Sequence, residues 1–152
     1  MPVYLDHAAT TPILPEALAA FTAALGTVGN PSSIHSAGQQ AKMLLEDGRA
    51  AVAASLDADP VEVVFTSGGT ESINLAVKGM FWARQQDRPR PRIVVPGGEH
   101  HATVDTVEWL ERHEGAVVDV VPLDAQGRVD LVALEARLAA AAGVARGPVR
   151  WG

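Results

Sequence analysis

Two short segments of this chain bring together residue types that could do chemistry. In Phe65-Thr66-Ser67-Gly68-Gly69-Thr70-Glu71, two glycines stand between a β-branched run and a helical pattern. A helix that opens on glycine presents free backbone N–H groups at the positive end of its dipole, with no Cβ to keep an anion away. Gly69 and Thr70 are therefore candidates for holding a phosphate, the Thr70 hydroxyl adding a donor of its own. The other reading of the same residues is a tight turn with Thr70 capping the helix. No Lys-Ser or Lys-Thr follows the glycines, so the segment is not a P-loop.

The second segment is Glu99-His100-His101. Histidine is the side chain that changes charge near neutral pH, and an imidazole can stack on a ring or move a proton. Each histidine can equally be a helix cap or a solvated side chain. A metal site drawn from Glu99, His100, His101, His7 and His35 is disfavoured, because adjacent histidines seldom ligate one ion. The segments Leu5 to Pro12 and Gly29-Asn30-Pro31-Ser32-Ser33 are rich in hydrogen-bonding groups and alone read as ordered loops.

These residues need elements to position them. Pro15 to Leu25, closed by Gly26, reads as a short helix. Apolar residues at Ile34, Ala37, Ala41, Leu44, Leu45, Val52 and Leu56 predict a long helix with one buried stripe. Val61 to Thr66 reads as a strand, Glu71 to Gln86 as a helix, Arg92 to Val95 as a second strand, and Ala102 to Glu114 as a helix. Ala116 to Leu123 and Asp130 to Ala142 complete the series as a third strand and a third crossover helix. Strands alternating with helices predict an α/β fold: a mostly parallel sheet with right-handed crossovers, preceded by a helical N-terminal arm. In such a sheet ligands gather at the carboxyl ends of strands, where both the Gly-Gly-Thr turn and the Glu99-His100-His101 triplet fall, so they are expected to line one crevice. The expected divisions are 1–56 for the loop and helical arm, 57–142 for a partial α/β domain, and 143–152 for an irregular tail.

Composition narrows the function classes. The 152 residues are 47% hydrophobic and 20% charged, an ordinary globular balance, with a net charge of −6 that argues against nucleic acid or an anionic membrane as partner. The one basic cluster, Arg84, Arg88, Arg90 and Arg92, is interrupted by prolines and reads as a solvated loop. There is no cysteine, hence neither disulfide nor thiolate metal site. The first residues carry no basic stretch and no long apolar run, which predicts a cytoplasmic protein with no membrane span.

In order along the chain, Tyr4-Leu5-Asp6-His7-Ala8-Ala9-Thr10-Thr11-Pro12, Gly29-Asn30-Pro31-Ser32-Ser33 with His35, Phe65 to Ala76, and Glu99-His100 resemble the motifs of the cysteine desulfurases. Those enzymes are class V members of the aminotransferase superfamily with the type I pyridoxal-phosphate fold. Gly127-Arg128-Val129-Asp130-Leu131 with Leu134-Glu135 also fits, so the resemblance spans about residues 3 to 138. It implies the type I transferase large domain, truncated, and pyridoxal 5'-phosphate as cofactor. It further implies that Gly69 and Thr70 bind the cofactor phosphate and that His100 stacks on the pyridine ring and takes part in proton transfer. The implied reaction converts L-cysteine to L-alanine and passes sulfur, as an enzyme persulfide, to an acceptor or iron–sulfur scaffold protein. The implied assembly is a homodimer.

The resemblance also marks what these residues lack. The family's cofactor-bonding lysine, the aspartate facing the pyridine nitrogen, the substrate-binding arginine and the nucleophilic cysteine have no counterpart here. The lysines present are Lys42 and Lys78. Lys78 lies eight residues beyond Thr70, roughly 12 Å along a helix at about 1.5 Å per residue, which carries it away from the phosphate. The expectation is a chain inactive by itself. Other readings are a non-catalytic interaction module that needs a separate C-terminal half, another class V enzyme such as a selenocysteine lyase, and an unrelated phosphate- or nucleotide-binding βα module. From Ala139 onward the sequence departs from the family pattern.

Overall fold

The computed structural model describes residues 3–140. They fall into two compact units that divide between Phe65 and Thr66.

The first unit is helical. Helix α1, Pro15–Leu25, opens with proline at its first position, where the missing N–H would have had no partner anyway. The loop that follows is shaped by close approach. A Cβ on Gly29 would run into the Ala37 carbonyl, and one on Gly38 into Ser33. The Asn30 side-chain oxygen accepts from the Ser32 N–H at 2.9 Å, and the Asn30 carbonyl accepts from the Ser33 N–H at 2.9 Å. Helix α2, Ser36–Ser55, begins at His35, whose Nδ1 accepts from the Gly38 N–H. The loop at residues 29–33 is therefore ordered by its own hydrogen bonds and by glycines that let it lie against the first turn of α2.

Two sequence expectations fail in this unit. Val61 to Thr66 does not form a strand. Asp59, Pro60 and Glu62 instead build a capped 3-10 turn over Pro60–Glu62, with the Glu62 carboxylate accepting from the Asp59 N–H at 2.9 Å. Val63 beyond it is extended, but its carbonyl accepts from Arg49, whose guanidinium also lies 4.9 Å from the Phe65 ring centroid. β-branched residues supply the conformation of a strand; a ladder needs a neighbour, and among the described residues none pairs here. The predicted stripe on α2 is also not buried: Ile34 is 94% exposed, Leu44, Leu45, Val52 and Leu56 are exposed, Ala37 and Ala41 are half-buried, and the buried residues of the helix are Gly38 and Ala53.

The second unit is a small α/β body. Helix α3, Gly69–Gln85, leads to strand β1, Arg92–Pro96; helix α4, His101–Glu114, leads to β2, Val117–Val121; helix α5, Leu131–Ala139, follows. β1 and β2 are parallel, with Arg92 opposite Val117 and Pro96 opposite Val121. The parallel sheet and crossover helix match the predicted architecture, with two strands among the described residues where three were expected. The core consists of Phe81, Leu110 and Ala116 in one cluster and Val95, Val107 and Val118 in another, bridged by Val77 and Ile93. α4 ends at Gly115, whose left-handed φ of 71° suits glycine at a helix stop.

The predicted third crossover helix is α5, capped by the Asp130 carboxylate on the Ala133 N–H at 3.0 Å. A short antiparallel bridge, Leu123 with Val129, turns the chain into it. The Asp124 carboxylate holds that turn by accepting from the Gln126 and Arg128 N–H groups, and Gly127 supplies its left-handed position. Asp119, buried in β2, binds Arg92 of β1 and Arg137 of α5, and Arg92 also donates to the carbonyls of Arg137 and Ala140. One carboxylate thus ties two strands and a helix. The end of the predicted helix beyond Ala140, and the tail at 143–152, lie outside the described residues.

Candidate functional site

Helices α3 and α4 lie side by side in the second unit and run the same way. Lys78 sits 4.3 Å from the Trp109 ring centroid, Phe81 clusters with Leu110, and Val77 packs on the cluster that holds Val107. Each contact joins residues about thirty apart, and the numbers rise together. Followed back to the helix starts, this order puts both N-termini toward one end of the unit. It is the end at which β1 finishes, the carboxyl-end position where open parallel sheets bind ligands.

The turn before α3 is rigidly tied. The Glu71 carboxylate accepts from both the backbone N–H and the hydroxyl of Ser67, each at 2.6 Å. Those bonds, the hydroxyl's first, hold the Glu71 carboxyl below the ordinary glutamate value of 4.5. The Ser72 hydroxyl lies 2.6 Å from that of Thr66 and 3.1 Å from the Gly68 carbonyl.

Between these ties the ligand-facing groups are left open. Gly68 is extended and offers no side-chain cap, so the first N–H groups of α3 have neither a helical acceptor nor a capping one. Apart from its chain neighbours and the backbone of its own helix, a Cβ at Gly68 or Gly69 would meet nothing within 4 Å among the described residues, so the approach to the turn is open. The Thr70 hydroxyl makes no hydrogen bond among the described residues. Free donors, an open approach and a helix dipole together fit a phosphate group.

His100 caps α4. Its Nδ1 accepts from the Ala102 N–H at 3.1 Å, which places the ring proton on Nε2. Its exposed ring lies 4.6 Å, centroid to centroid, from His101. The cap reading of His100 is therefore met, and Nε2 has no hydrogen-bond partner among the described residues. Among the described residues no cluster of His, Asp and Glu could hold a metal ion. Lys78 is engaged with Trp109, away from the turn. A groove of about 540 Å³ lies between α3, β1 and the start of α4, with Phe81, Val95, Glu99 and Thr103 among its lining residues. What residue types alone missed is the Glu71–Ser67 clamp, since a glutamate in a first helical turn is usual.

Residues 3–145 match the model of the aminotransferase class-V family. The chain belongs to that family. It is 50% identical over 149 residues to an IscS-like cysteine desulfurase of Mycobacterium tuberculosis, covering 97% of this chain and 38% of that protein. It is 42% identical over 142 residues to the cysteine desulfurase IscS of Vibrio cholerae, covering 91% of this chain and 34% of the relative. Among solved structures, a NifS-like protein superposes with a TM-score of 0.80 at 34% identity, covering 90% of this chain and 37% of that one. DndA from Streptomyces lividans gives a TM-score of 0.70 at 32% identity over 89% of this chain and 37% of that one. This class-V chain spans about a third of the length of the curated relatives it matches. The α/β fold expected from alternating strands and helices is that of its NifS-like neighbours.

Proposed function

We propose that these residues form the phosphate-and-ring side of the cofactor cradle of a pyridoxal 5'-phosphate-dependent cysteine desulfurase. The observation that carries the reading is the open N-terminus of α3, in a chain 50% identical over 149 residues to a cysteine desulfurase. In the proposed cradle Gly69 and Thr70 take the cofactor phosphate through backbone N–H groups and the threonine hydroxyl. His100 lies against the ring and moves a proton through Nε2. The bound cofactor supplies an electron sink for bonds made and broken at the substrate's α- and β-carbons. The protein's part on this side is to anchor the phosphate, orient the ring and deliver a proton.

The reaction assigned to the whole protein is L-cysteine to L-alanine, with the sulfur leaving as a persulfide for an acceptor or iron–sulfur scaffold protein. The assembly is a homodimer in the cytoplasm. No helix among the described residues is long and apolar enough to cross a membrane. The thiolate nucleophile cannot come from residues 1–152, which contain no cysteine. The same fact favours a second statement: residues 1–152 by themselves do not turn over cysteine, and the lysine and cysteine of the reaction come from outside them.

The test compares pyridoxal 5'-phosphate with pyridoxal on the purified chain by fluorescence titration, then adds L-cysteine and assays sulfide. Tighter binding of the phosphorylated form with no sulfide is expected. Equal binding of the two sinks the cradle, and stoichiometric sulfide sinks the claim of inactivity.

A further inference from the structure

The phosphate-facing N–H groups of α3 are useful to a ligand only if the turn that presents them is held still. Gly68 and Gly69 are the two residues least able to hold themselves, since glycine has the widest backbone freedom. What immobilises them is on either side. Glu71, in the first turn of α3, reaches back across both glycines and takes the N–H and the hydroxyl of Ser67 on one carboxylate oxygen, each at 2.6 Å. The clamp closes a loop of five residues around the glycine pair and leaves the N–H groups of Gly69 and Thr70 outside it.

We infer that Glu71 is the positioning residue of the phosphate cradle, acting through Ser67 to fix the Gly68-Gly69 turn. The inference rests on the cofactor reading above and goes beyond it, because Glu71 would touch no part of the cofactor. The arrangement carries an apparent contradiction that makes it testable. A carboxylate in the first turn of a helix occupies the same positive end that a phosphate seeks, so its charge alone works against phosphate binding. A glutamate that merely decorated the helix would therefore weaken binding, and its removal would tighten it. A glutamate that positions the turn does the opposite.

Three chains decide between these: wild type, Glu71→Ala and Glu71→Gln, each checked for folding by circular dichroism. Gln can still accept from the Ser67 N–H while losing the charge. Titration with pyridoxal 5'-phosphate and with pyridoxal gives the preference for the phosphorylated form. Glu71→Ala should lower that preference about tenfold, the scale of a lost charge-assisted hydrogen bond, with pyridoxal itself unaffected; Glu71→Gln should restore most of it. A preference unchanged or raised in Glu71→Ala overturns the inference while leaving the cradle standing. A wild-type chain with no preference overturns the cradle and the phosphate role of Glu71 together. Amide resonances of Gly68, Gly69 and Thr70 in the unliganded chain read the clamp independently. They should move in Glu71→Ala and largely return in Glu71→Gln; resonances indifferent to both overturn the clamp whatever the cofactor does.

Discussion

The two units of this chain make similar helices and bury them very differently. α1 has no buried residue, and α2 buries only Gly38 and Ala53. α4, of intermediate length, buries Ala102, Thr106, Val107 and Leu110, with Leu110 fully enclosed. Helical periodicity is present in both units, so periodicity is not the difference. Among the described residues the second unit supplies a parallel two-stranded sheet for its helices to cover, and the first supplies no sheet. An apolar stripe is a demand for a partner, and the stripe alone does not say whether the partner is at hand.

That contrast can be broken by mutation. The largest loss is expected for Leu110→Ala in α4, about 2–5 kcal/mol in urea unfolding followed by circular dichroism, because a fully enclosed leucine leaves a cavity. Asp119→Ala should follow at about 3 kcal/mol, since it leaves Arg92 and Arg137 without the buried carboxylate they share. Phe21→Ser in α1 is chemically the harsher change, yet at an exposed position it should cost within about 0.5 kcal/mol of nothing. A loss from Phe21→Ser comparable to that from Leu110→Ala would overturn the contrast between the units.

The glycine turn sharpens it from another side. Gly69→Ala places a Cβ in open space at the first position of α3, so it should raise stability by up to about 1 kcal/mol on helix propensity. The same Cβ stands where a phosphate would approach, so the preference for pyridoxal 5'-phosphate over pyridoxal should fall. Stability and binding moving in opposite directions would mark the glycine as kept for the ligand. The smallest effect concerns pH. Glu71 has its carboxyl lowered by Ser67, so the clamp contributes fully above the ordinary value of 4.5 and is lost as pH falls through the lower folded value. The Gly69 and Thr70 amide resonances should therefore hold steady from neutral pH down to about 4.5 and change only below it. A change centred above 4.5 would count against the clamp.

Much of the candidate site was legible in the residues. A β-branched run, two glycines and a threonine before a helical pattern describe an anion-binding helix start, and a histidine after the next strand describes a strand-end side chain. Their placement at the same end of one unit needed the register of α3 on α4, set by Phe81, Leu110 and the Lys78–Trp109 contact. The clamp was not legible, because glutamate in a first helical turn is usual and says nothing about reaching back four residues to Ser67.

By itself the sequence determined the helices, the two paired strands, the glycine turn and the family, all of which rest on local pattern or on motifs in order. The tertiary structure alone decided that Val61 to Thr66 is no strand and that the stripe on α2 stays exposed. It also decided that Asp119 joins two strands to a helix and that Thr70 and His100 share an end. The physical reason is common to all of these. Conformation follows from neighbours in the chain, whereas pairing, burial and the meeting of side chains depend on which distant residues are there to receive them.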